Sequence, residues 1–247
     1  MGRFVGKNSE NFVAMLHLAC VRILLQAAGR LPRTMIMPTL DVARPSRSTT
    51  IFIANMAVAC FAYFGIALVL VHVLRPERPL ATTFISGYAV GPHGWVMTTA
   101  WLGASIGCLM QALGLARIGP RSVAARLGTL LLAIFFLGFL VTAIFPPAPP
   151  NSPTLSGKTH EITFFVNISC ALLGSVLLAV GFGSDPRWRS YRRTAATLAA
   201  LLWFALALQF LTAYLAAGYG YANRFFAALI VAWLLAISIK LRALARE

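Results

Sequence analysis

The chain has 247 residues, 59% of them hydrophobic and 11% charged, with a mean hydropathy of +0.79. A soluble domain carries about 25% charged residues, so a soluble core is excluded and lipid is the chain's main solvent. The net charge of +15 does not signal nucleic acid, because the basic residues sit almost entirely in short segments between apolar runs.

The 18 Arg against 3 Lys fit a GC-rich bacterial genome better than a specific binding surface. Helices are the expected unit, since no open strand could satisfy its backbone in hydrocarbon. The alternation of an outer-membrane barrel is absent. Cys20, Cys60, Cys108 and Cys170 show neither CxxC nor metal-ligand spacing. No disulfide frame, metal or other cofactor is expected.

Residues 1–47 form a basic N-terminal segment. Asn11 to Gly29 is apolar but interrupted by His17, Arg22 and Gln26. With Arg30, the last two make a polar stripe at i, i+4 and i+8, as on a helix lying in the cytoplasmic headgroup layer. The alternative is an over-long start, with Met35, Met37 or Met56 as the first residue.

Six spans follow, at about Ile51–Leu74, Gly94–Leu115, Ala124–Phe145, His160–Phe182, Thr194–Ala216 and Phe225–Ile239. With Lys240 and Arg242 snorkelling to the interface beyond the last and shortest, each is long enough for a hydrocarbon core of roughly 30 Å. The expected fold is an all-α integral membrane protein, with six transmembrane helices in one bundle over residues 48–247. Of the Lys and Arg residues, 17 fall on the side of the termini; only Arg75, Arg78, Lys158 and Arg224 fall on the other. The positive-inside rule then puts both termini in the cytoplasm of a bacterial plasma membrane.

The spans carry almost no charge, which argues against ion-coupled transporters and proton pumps. Their polar residues are neutral and one-sided. In that orientation Ser86, Tyr88, His93, Thr98, Thr142, His160, Thr163 and Asn167 all lie toward the outside, as do His72, Gln209 and Thr212. The expected site is a polar vestibule in the outer leaflet, built from the Ser86–Trp95 loop and the outer ends of the second, third and fourth helices. For the Gly, Ser and Thr members a plain packing face is the competing reading. Ser, His and a carboxylate are the inventory of a hydrolase, and His with Glu could hold a metal. Neither G-x-S-x-G nor H-E-x-x-H is present, and adjacent His160 and Glu161 project about 100° apart on a helix.

Taken in order, three features resemble a known family. These are Ser86-x-Tyr88-x-x-Gly91-x-x-Gly94-Trp95 after the first span, Phe145-Pro146 closing the third, and His160 opening the fourth. The chain resembles, over about residues 50–240, the bacterial six-helix membrane family catalogued as domain of unknown function 998. The resemblance implies the fold and no activity. The family's pattern is Phe-Pro-x-Asp, and this chain has Ala148 in place of the acid. If that acid is a ligand or an orienter of His160, this chain lacks it.

The functional expectation is a membrane protein that binds a lipid or small apolar ligand in the vestibule, or meets an envelope partner. The alternative is a membrane-embedded lipid hydrolase using Ser86 or a His-bound metal. Membrane lipids are the expected partners; nucleic acid is not.

Overall fold

The computed structural model describes residues 46–149 and 153–247. The 22–30 stripe and the alternative starts at Met35 and Met37 lie outside the described residues. The helices are α1 (Arg47–Leu74), α2 (Gly94–Ile118), α3 (Val123–Ile144), α4 (Leu155–Phe182), α5 (Pro186–Arg189), α6 (Arg192–Tyr214) and α7 (Tyr219–Arg246). All but α5 are long and apolar enough to cross a membrane, and among the described residues there is no strand. The expected six-span, all-helical fold is borne out.

Short polar side chains set where several helices begin, by taking first-turn amides that have no intrahelical partner. Ser46 caps α1 through the Thr49 amide, and Ser122 caps α3 through Ala125. Thr154 accepts from the Gly157 amide at 3.0 Å, so α4 starts at Leu155 and not at His160. Gly218 takes φ +69°, which reverses the chain directly after α6 and starts α7 at Tyr219 rather than at Phe225. These two earlier starts bring Lys158, Asn223 and Arg224 into helices.

The spans pack in chain order, α1 to α2, α3, α4, α6 and α7, and α7 returns to α1 to close the ring. One end carries the linker 75–93, residues 145–149 and 153–154, and the linker 215–218, and is called the lid end. The other, the terminus end, carries the linkers 119–122 and 183–191. Toward the terminus end α2 and α7 also meet across the ring. There Gln111 is fully buried and donates from Nε2 to the Leu234 carbonyl at 2.7 Å and to Ser238 Oγ at 2.9 Å. Leu241 fills the space that Gly114 leaves. Backbones can approach that closely only where side chains are small.

The 183–191 linker is anchored too. Trp188 is buried, stacks on Phe182 with ring centroids 4.6 Å apart, and donates from Nε1 to the Ile118 carbonyl at 3.2 Å. Asp185 caps α5 and hydrogen-bonds the Arg187 guanidinium, which holds its carboxyl below the usual range. Large apolar side chains such as Phe52, Ile66, Val69, Val73 and Leu130 point outward and exposed. Lipid is the solvent that such a surface suits.

Candidate functional site

Because α2 and α7 close the terminus end, unfilled space remains toward the lid end: a cavity of about 640 Å³. Its walls are aromatic, with Phe64, Trp101, Phe135, Phe139, Phe164 and Phe226 among them. Ala171 and Ile230 lie at its inner limit, and Phe84, Ile85 and Ser86 line it from the 75–93 linker.

That linker is held as a lid chiefly by Arg75 and Arg224, with Arg78 Nη2 adding a 3.3 Å bond to the Val90 carbonyl. Gly91 has φ +92°, a region open to glycine, and the Arg75 guanidinium lies 3.6 Å from where its side chain would begin. Arg75 Nη1 donates to the Val90 and Pro92 carbonyls at 3.2 and 2.7 Å. Its Nε donates to Glu77, whose carboxyl it holds below the usual range. Arg224 reaches the lid from α7. Its Nη1 donates to the carbonyls of Leu80 (2.9 Å) and Thr83 (2.8 Å), and its Nη2 to the Tyr88 hydroxyl (3.0 Å). The Gly220 amide adds a bond to the Ala81 carbonyl at 2.8 Å. A planar guanidinium spreads five donors over a rigid fork, where an ammonium has three on a single nitrogen.

The neutral polar groups inside can be assigned from their partners. The Ile85 amide can only donate, and it donates to Asn223 Oδ1 at 2.8 Å. Asn223 Nδ2 then donates to Gln209 Oε1 at 3.2 Å, which leaves Gln209 Nε2 as a free donor. On α4, His160 Nδ1 lies 3.0 Å from the Phe145 carbonyl. A carbonyl only accepts, so the neutral ring carries its proton on Nδ1 and has an acceptor at Nε2. The carbonyl that orients His160 belongs to Phe145, the residue that caps the end of α3.

Asn167 is 8% exposed and lines the same cavity. A side chain at Gly138 would collide with its Oδ1, so the amide oxygen rests in a notch that only glycine leaves open. That oxygen is enclosed with no hydrogen-bond partner. Thr142 Oγ1 gives its proton to the Gly138 carbonyl at 2.9 Å.

Of the eight residues the sequence singles out, Ser86, Thr142, His160 and Asn167 line the cavity. The other four stand apart from it. Tyr88 is fully buried beneath Arg224 and against His72. His93 is exposed at φ 58°, where the chain turns into α2. Thr98 bonds back to the Gly94 carbonyl, and Thr163 is buried in packing. The cavity also takes Lys158, Glu161, Gln209 and Asn223. Asn223 and Arg224 look like linker residues in sequence, because the apolar run begins only after them. Their signal was a polar pair one turn after Gly218. Among the described residues, no three His, Cys, Asp or Glu side chains come together as a metal site.

A closed ring of six spans around an aromatic cavity, capped at one end by an arginine-pinned lid, defines a multi-pass membrane protein with an internal cavity. Residues 45–240 match the family described as protein of unknown function (DUF998), and the chain belongs to that family. Neither a curated protein nor a solved structure matches it.

Proposed function

We propose that this protein binds a lipid or small apolar ligand in the central cavity, with the lid end facing outward. The observation that carries this reading is an aromatic cavity of about 640 Å³ whose deep polar groups are few and uncharged. Its size lies within the range of small-molecule sites. Phe165 on α4 and Phe210 on α6 both line it, and each is about half exposed. Neighbouring helices with such side chains offer a route for a ligand already dissolved in the bilayer. The outward assignment rests on the 17-to-4 distribution of Lys and Arg.

A lipid hydrolase is the second reading, favoured by Ser86 and His160 lining one cavity. Against it, the hydrogen bonds among the described residues do not link Ser86 to His160 or to a carboxylate. Native mass spectrometry of protein released from nanodiscs tests the first reading. Wild type should carry lipid, and Ala227→Phe, which fills the cavity from α7, should not. Equal lipid retention by the two proteins would overturn it. Labelling of Ser86 by a fluorophosphonate, lost in Ser86→Ala, would favour the hydrolase.

A further inference from the structure

We infer that the inner part of the cavity receives a neutral carbonyl oxygen of the ligand, held between the side-chain amides of Asn167 and Gln209. This rests on the ligand-binding reading and names the chemistry of the ligand's buried end.

Each amide has its oxygen turned away from the open space, Gln209's bonded and Asn167's enclosed without a partner. Asn167 turns its oxygen into the Gly138 notch, and Gln209 gives its oxygen to Asn223. What each has left is an NH₂ group. Both residues line the cavity, from helices that pack side by side and run in opposite directions. Each lies roughly 24–27 Å along its helix from the 183–191 linker, so the two stand at similar depth. Neither amide nitrogen has a protein acceptor among the described hydrogen bonds. In hydrocarbon no bulk water replaces such a partner, and a buried bond left unmade is costly.

Two donors facing one space call for an oxygen with two lone pairs. Charge narrows the class further. The cationic group in the lining is Lys158, roughly 13 Å nearer the lid end along α4, with Glu161 close to it. An ionised head at Asn167 would lie unpaired at mid-span depth. A ligand whose only polar group is a donor would leave both NH₂ groups unmatched. A ketone, ester or quinone carbonyl satisfies both, and the aromatic walls suit the remainder of an apolar molecule.

The test uses three probes of equal chain length with the full chain in nanodiscs: tridecan-2-one, tridecane and tridecanoate. Affinities come from native mass spectrometry, and the ketone is carbon-13 labelled at its carbonyl for infrared spectroscopy. The ketone should bind wild type at least tenfold more tightly than the alkane, with its carbonyl band moved to lower frequency. Asn167→Leu leaves only the Gln209 donor, so it should lose most of that preference and show a smaller band shift. Gly138→Ala displaces the Asn167 amide without removing it and should do the same, which keeps the test decisive if one variant fails to fold. Equal wild-type affinities with an unshifted band, or preference for tridecanoate, would overturn the inference. Binding of none of the probes would overturn the ligand-binding reading itself, and this inference with it.

Discussion

Nε2 of His72 on α1 accepts a 2.7 Å hydrogen bond from Nε of Arg224 on α7. Nδ1 of the same ring lies 2.5 Å from the Leu68 carbonyl and must therefore carry the imidazole proton. Two helices and the lid thus share one guanidinium. Arg224→Lys keeps the charge but not the planar fork, and a single ammonium cannot reach His72, Tyr88, Leu80 and Thr83 together. The variant should lose about 2 kcal/mol of stability. Hydrogen exchange should quicken at the Ile85 and Gly220 amides, while the amides around Gln111 stay protected.

Gly138 and Asn167 are coupled by contact. Gly138→Ala forces the Asn167 amide out of its notch and should destabilise by about 1–3 kcal/mol, as overpacking does. Asn167→Ala removes the obstacle, so the double variant should be more stable than the sum of the two single effects predicts. Thermal unfolding in detergent of the four proteins measures the coupling. Simple additivity would mean that the notch and the amide are unrelated.

Asp185 gives a pH dependence whose sign is fixed. The Arg187 side-chain hydrogen bond, chiefly, depresses its folded-state pKa. Its contribution is therefore fully present above the ordinary carboxyl pKa of about 4 and is lost as pH falls through the lower folded value. Asp185→Ala should cost about 1 kcal/mol near neutrality through the lost cap. The gap between wild type and variant should shrink steadily as the solution is made more acidic than that range. A gap independent of pH would remove the ion pair from the account.

Topology follows from the charge distribution. Reporter fusions after Gly119 and Asp185 should read cytoplasmic, and those after Pro79 and Gly220 external. An external reading at Asp185 would turn the lid end toward the cytoplasm. The cavity would then draw its ligand from the inner leaflet.

The sequence by itself determined the solvent, the number of spans and the family. Run length and charge depletion are local properties, and a helix in lipid closes its own backbone hydrogen bonds wherever its neighbours lie. It also brought out Ser86, Thr142, His160 and Asn167, because polar residues in apolar tracts are conspicuous. Only the tertiary structure decided which of the eight candidates share a space. Helical phase, a Thr154 cap and a left-handed Gly218 set where each side chain points. Tyr88 turned into the Arg224 clamp, and His93 stayed at the surface. The free hydrogen-bonding valences were equally out of reach. That Gln209 has a donor to spare depends on Asn223 on the next helix, and through it on Ile85, which is far from both in sequence and reaches them only when the lid folds over.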